Sequence, residues 1–183
     1  MLSLYWFDDT SVSQLNVYSM MIIRPATPTD LPGILEIYND AVLNTTASYD
    51  YEPRTLEQRI AWFDDHAKNN YAVFVAVNEQ DRVVGWSALN RFHDRIGYRF
   101  TAENSVYVAA DQRGKGIGTL LMPPLVEAAR ARGLRAILAL IDAENEASIR
   151  LHSRFGFERV ALLKQVGFKF NRWLDVVYME RLF

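Results

Sequence analysis

Residues 111–122 read Asp-Gln-Arg-Gly-Lys-Gly-Ile-Gly-Thr-Leu-Leu-Met, so three of the chain's nine glycines stand at alternate positions just ahead of an apolar run. Glycine loses more conformational freedom on folding than any other residue. Such a cluster therefore marks left-handed dihedrals or a backbone that something must approach closely. A glycine-rich turn that opens a helix also presents unpaired N–H groups at the positive end of the helix dipole, where anions bind. A P-loop needs GxxxxGK followed by Ser or Thr, and here Lys115 sits between glycines. A dinucleotide fingerprint starting at Gly114 needs a glycine where Thr119 stands, and its βαβ context is missing from the N-terminal half. Two readings remain on spacing alone: a pyrophosphate cradle flanked by Arg113 and Lys115, or an ordinary strand-to-helix turn.

The rest of the chain predicts alternating helices and strands. A short strand over 21–24 precedes a helix capped by Thr29 or Asp30, in which Leu31, Ile34, Leu35, Ile37 and Tyr38 share one face as far as about Leu43. Thr55 with Gln58 three residues on has the form of a capping box, opening a second helix to about Ala67. Strands are expected over 71–77, 82–92 and 99–110, followed by a helix over 116–132. A fully apolar strand over 135–141, a short helix over 145–155 and closing strands over 157–163 and 173–182 complete the order β-α-α-β-β-β-α-β-α-β-β. This is an α/β arrangement, one mixed sheet flanked by helices.

Length and composition bound the function. At 183 residues, half of them apolar, the chain suits one domain with one core. A net charge of −2 with scattered Lys and Arg argues against nucleic acid as the main partner, and no apolar stretch is long enough to predict a membrane span. The absence of cysteine excludes disulfides, thiolate metal sites and a cysteine nucleophile, and is compatible with a reducing cytoplasm. Residues 1–20 lack the pattern of a secretory signal, and Met21 reads as a fresh beginning. The expectation is an N-terminal extension over 1–20 and a domain over 21–183.

Val106-Tyr-Val108, followed after four residues by Arg113-Gly-Lys-Gly-Ile-Gly118, resembles the cofactor signature of the GNAT superfamily of N-acetyltransferases. Residues 145–157, from Asn145 through Ser148 and His152 to Gly156 and Phe157, are similar to its second signature. Thr101-Ala-Glu-Asn-Ser-Val-Tyr-Val108 and Gly167-Phe-Lys-Phe-Asn-Arg-Trp-Leu-Asp175 look like the branch that acetylates phosphinothricin and methionine sulfoximine or sulfone. The likeness runs from about Met21 to Leu182.

This resemblance implies a GNAT fold, acetyl-CoA as co-substrate, no metal and a homodimer. It implies that the amides from Gly114 through Lys115, Gly116, Ile117 and Gly118 to Thr119 hold the pyrophosphate, with charge added by Arg113 and Lys115. The strand edge at Val106, Tyr107 and Val108 would pair with the pantetheine arm as an added strand does, and Asn145 and Ser148 would meet the same arm. Arg91 resembles an arginine that grips the acceptor's carboxylate. Phe92, His93, Asn104 and Ser105 are expected around that acceptor, with the loop over 44–51 shaping its pocket. Trp173 and Asp175 resemble residues near the pocket or the dimer contact, and Trp173 equally suits the core. Asn90 departs from the branch's tryptophan, Asn104 from its histidine or serine, and the stretch from Arg91 to Glu103 is slightly long. All three departures border the acceptor, so acetyl-CoA is better specified than any named amino acid.

Acetyl transfer to an amine needs a base, stabilisation of the carbonyl oxygen and a fate for the thiolate. Glu103, a carboxylate within an aromatic and β-branched strand, reads on its own as an exposed edge-strand residue. The resemblance makes it the general base, acting through water. The same resemblance places His152 where a proton donor to the departing sulfur stands, although a helix-surface histidine without a role is the plain alternative. His66 and His93 show no metal-ligand spacing. Rival readings are an acetyltransferase for a protein N-terminus or a polyamine, and a non-catalytic CoA-binding sensor.

Overall fold

The computed structural model describes residues 21–183. The extension expected over 1–20 lies outside the described residues. A seven-stranded mixed sheet has the order β1-β2-β3-β4-β5-β7-β6. Its strands are β1 (Ile22–Pro25), β2 (Val73–Val77), β3 (Val83–Arg91), β4 (Thr101–Val108), β5 (Ala136–Asp142), β6 (Glu158–Lys169) and β7 (Arg172–Leu182). Helices α1 (Leu31–Asn44), α2 (Leu56–Lys68), α3 (Ile117–Ala131) and α4 (Glu146–Arg154) cover it.

The helices divide between the two faces by their apolar stripes. Leu31, Ile34 and Ile37 of α1 pack with Val75, Val77 and Trp86 on one face. Met122, Leu125 and Ala129 of α3 pack with Ile149 of α4, Leu89 and Ile137 on the other. Covered on both sides, β3 buries all of Val83–Leu89, which is why its sequence lacks strand alternation. Helix α3 continues through Pro123 and Pro124, whose missing N–H groups leave the carbonyls of Thr119 and Leu120 without helical partners. Among the described residues, no helix is long and apolar enough to cross a membrane.

The capping box opens α2 as its sequence implies. Thr55 N–H donates to Gln58 Oε1 at 2.9 Å, and Gln58 N–H donates to Thr55 Oγ1 at 3.3 Å. Thr55→Ala is expected to lower stability by about 1 kcal/mol, read as a lower urea midpoint at unchanged slope.

The strand over 157–163 proves longer, reaching Lys169 through an irregularity between Leu163 and Gly167. There Gln165 adopts φ 54°, and Asp175 holds it by accepting the Gln165 N–H at 2.9 Å and Lys164 Nζ at 2.7 Å. Phe170 and Asn171, both at positive φ, close the β6–β7 hairpin.

The sheet opens at its centre. Strand β4 pairs with β3 from Ala102 to Val108, but with parallel β5 only at Thr101↔Ala136, Ala102↔Ile137 and Glu103↔Leu138. Beyond that rung β5 follows β7 as far as Asp142↔Val176. Among the described residues, one edge of β4, from Asn104 to Val108, has no strand beside it.

Candidate active site

A cavity of about 1200 Å³ fills the opening between β4 and β5. Its walls are β4 from Glu103 to Val108, β5 from Ala139 to Asp142, the glycine turn, and Asn145, Ser148 and His152 around α4. Thr45 to Tyr49 border it on the opposite side. Buried Lys169 fixes that loop by donating from Nζ to the carbonyls of Thr45 and Ser48 at 2.9 and 2.5 Å.

The three glycines have different local causes. Gly114 and Gly116 take φ of 78° and 82°, the left-handed region that disfavours a side chain. At Gly118 a Cβ would lie 3.0 Å from Leu151 Cδ2, so the bare backbone there lets α3 pack against α4. The N–H groups of Gly114, Lys115, Gly116, Ile117 and Gly118 have no protein acceptor among the described residues, whereas that of Thr119 already donates to the Gly116 carbonyl at 2.9 Å. Five free amides at a helix start, beside a strand edge with unused backbone groups, suit a pyrophosphate followed by an amide-bearing arm. Thr119 lines the cavity but keeps its amide inside the turn.

The flanking cations separate. Arg113 borders the cavity and ties the turn down, donating to the Val108 carbonyl at 3.2 Å and to Asp40 at 3.0 Å. Lys115 lies outside the cavity wall and donates to Gln112 Oε1. Asn145 caps α4, its Oδ1 accepting the Ser148 N–H at 3.1 Å.

Glu103 stands on the last rung that β4 shares with β5, at the vertex of the opening. Its carboxylate lines the cavity and has no hydrogen-bond or ion-pair partner among the described residues. Burial raises its pKa above the ordinary 4.5. A poorly solvated carboxylate with a raised proton affinity is suited to take up a proton.

His152 is 4% exposed. Its Nδ1 lies 2.7 Å from the Ser148 carbonyl, and its Nε2 lies 2.9 Å from the Asn104 amide nitrogen. The carbonyl requires the proton on Nδ1, so Nε2 carries the lone pair and accepts from Asn104. Burial lowers the pKa and keeps the ring neutral. The role expected for His152, protonating the sulfur, therefore has no proton available at Nε2 in this state. The ring instead orients Asn104, whose buried Oδ1 has no partner.

The acceptor residues also divide. Glu103, Asn104 and Ser105 line the cavity, together with Asn90, which bonds the Glu103 carbonyl and Ser105 Oγ. Arg91, Phe92 and His93 do not. Strand alternation turns Arg91 to the face opposite Asn90, where it meets Asp94 at 3.3 Å and Asn69 at 3.1 Å. Phe92 and His93 pack on Tyr98, with centroids 5.5 and 5.1 Å away. Trp173 is 62% exposed and neither it nor Asp175 reaches the cavity.

Sequence reasoning missed Arg59. It lies on α2 and borders the cavity at 5% exposure, its guanidinium carbon 4.5 Å from the Tyr38 ring and 4.6 Å from the Trp62 ring. The available signal was helical spacing: Arg59, Trp62, Phe63 and His66 share one stripe, so a cation stands on an otherwise inward face.

Comparison with known proteins agrees with this geometry. The family description "Acetyltransferase (GNAT) domain" matches residues 23–178. The L-methionine sulfoximine/L-methionine sulfone acetyltransferase of Pseudomonas aeruginosa is 49% identical over 158 residues, 86% of this chain and 92% of that protein. The phosphinothricin acetyltransferase of Sinorhizobium meliloti, crystallised with acetyl-CoA, superposes with a TM-score of 0.86 at 38% identity, covering 89% of this chain and 88% of that one. A ribosomal-protein-alanine N-acetyltransferase from Brucella melitensis gives 0.86 at 44% identity, covering 88% and 99%. With its split sheet, glycine turn and this range of matched residues, the chain belongs to the GNAT acetyltransferase family.

Proposed function

We propose that this chain transfers the acetyl group of acetyl-CoA to the amine of a small amino-acid-like compound of the methionine sulfoximine, methionine sulfone or phosphinothricin type. The observation that carries the reading is Glu103, an unpartnered carboxylate at the vertex where one cavity joins the free edge of β4 to the acceptor side. Acetyl-CoA supplies a thioester carbonyl; the amine's N–C bond forms there as the C–S bond breaks, and CoA leaves as its thiolate, which takes a proton from solvent. Glu103 receives the amine's proton through a water, since an ammonium has no lone pair to attack with. The free amides of Gly114 to Gly118 hold the pyrophosphate, and Asn145 and Ser148 flank the arm. No covalent bond to the protein is needed.

The experiment is thiol release from acetyl-CoA across an amine panel. Methionine sulfone, methionine sulfoximine and phosphinothricin should turn over faster than spermidine or a peptide beginning with alanine. If either of the last two is faster than every amino acid tested, the reading fails and a polyamine or protein N-terminus takes its place. No thiol release from any amine would favour a CoA-binding sensor.

Assembly as a cytoplasmic homodimer belongs to the same proposal. Strand β6 ends the sheet, and with the start of β7 it exposes Val160, Leu162, Val166, Phe168 and Trp173. An apolar edge of this kind calls for cover. Leu162→Lys should therefore halve the mass found by sedimentation at micromolar concentration, whereas a wild-type chain sedimenting as a monomer would contradict the proposal.

A further inference from the structure

Among the described residues, Arg59 is a buried cation without an anion. Eight ion pairs form among the described residues and none includes it. Its guanidinium makes no hydrogen bond there, and its buried Nε has no partner. Removing a charge from water is costly unless an opposite charge or good hydrogen bonds replace the solvent. The rings of Tyr38, Trp62 and Trp86, with the guanidinium carbon 4.5, 4.6 and 5.5 Å from their centres, supply part of that replacement. Aromatic rings attract the cation through its flat faces and accept no in-plane hydrogen bonds of ordinary strength. The N–H edge is left to find an acceptor.

The nearby acid makes neither an ion pair nor a hydrogen bond with Arg59. Asp50 Oδ2 accepts from the Tyr38 hydroxyl at 2.7 Å and from Arg54 at 2.9 and 2.7 Å. The cavity that Arg59 borders offers a partner a way in. A planar fork of N–H donors in a water-poor cage suits an oxyanion that can accept two parallel hydrogen bonds, and the anion that all amino-acid acceptors share is the carboxylate.

The position suits the amino-acid reading of the site, on which this inference rests. Glu103, Ser105 and Tyr107 alternate along one face of β4. Tyr107 stacks on Trp86, a wall of the cage, with centroids 4.7 Å apart. Cage and base therefore occupy the same side of the sheet. We infer that Arg59 receives the acceptor's carboxylate and so selects amino acids over simple amines, the role the resemblance implies for Arg91.

The test measures kcat/KM for methionine sulfone and for its decarboxylated amine in wild type, Arg59→Met, Arg59→Lys and Arg91→Ala. Wild type should prefer the acid. Arg59→Met should lose about ten- to a hundredfold of that preference, mainly through KM, as expected for a charge-assisted hydrogen bond. Arg59→Lys should keep an intermediate preference, and Arg91→Ala the full one. Calorimetric binding of acetyl-CoA shows whether each variant is folded. A folded Arg59→Met that retains the preference within threefold overturns the inference, while a wild type without any preference sinks the amino-acid reading itself. Loss of acetyl-CoA binding in both Arg59 variants would mark the residue as a support of the fold and would also overturn it.

Discussion

Glu103→Gln is expected to lower kcat by about 10²–10⁴-fold, the range for loss of a positioned general base. The substitution changes little but charge, and among the described residues it breaks no hydrogen bond or ion pair of the carboxylate. Its effect on stability has the opposite sign. Burial raises the Glu103 pKa above 4.5, so the folded state binds this proton more tightly than the unfolded chain does. As pH rises from the unfolded pKa through the raised folded one, the native state loses that advantage and carries a poorly solvated charge. A neutral glutamine removes this pH-dependent loss, so the variant should melt at or above the wild-type temperature near neutral pH. The kinetic sign follows from the same shift. A base acts only when deprotonated, so the wild-type rate should fall as pH drops through the raised Glu103 value, and the variant should lack that limb. Steady-state thiol release from pH 5 to 9, with thermal melts, checks both signs. A loss below threefold across that range would remove Glu103 from the chemistry.

Local chemistry was legible and long-range geometry was not. The Thr55–Gln58 box acts over three residues, and the helix after Gly116 declares itself by its apolar stripe, so both follow from sequence. The parting of β4 from β5 after Glu103 depends on which neighbour β5 follows, β4 or β7, and no pattern within either strand records that choice. Strand β6 runs beyond the expected 163 because Asp175, ten residues from Gln165, holds the irregular turn of backbone in place. Arg91 and Arg59 show the same limit. The family resemblance pointed to Arg91, yet strand alternation turns its side chain away from the cavity. Helical packing brings Arg59 into the cavity from forty-four positions upstream of Glu103.

Gly116→Val is expected to weaken acetyl-CoA binding by about a hundredfold, the scale of losing one or two hydrogen bonds to a charged group. Two effects combine at this position. A β-branched residue at φ 82° is strained, and the turn relaxes by moving the free amides it carries. The new side chain also stands on the cavity wall, where a bare backbone now allows close approach. The first effect can be isolated elsewhere on the same helix. Gly133, just past the end of α3, takes φ 74°, a Cβ there would meet nothing within 4 Å, and the residue does not border the cavity. Gly133→Val should therefore cost about 1–2 kcal/mol of stability through strain alone. Its acetyl-CoA dissociation constant should stay at the wild-type value. Calorimetric titration and urea unfolding of the two variants separate the contributions: equal stability losses with unequal affinity losses place the pyrophosphate at Gly116. If a folded Gly116→Val binds acetyl-CoA within threefold of wild type, the turn is only a route from strand to helix, and its glycines answer to packing and dihedral angle alone.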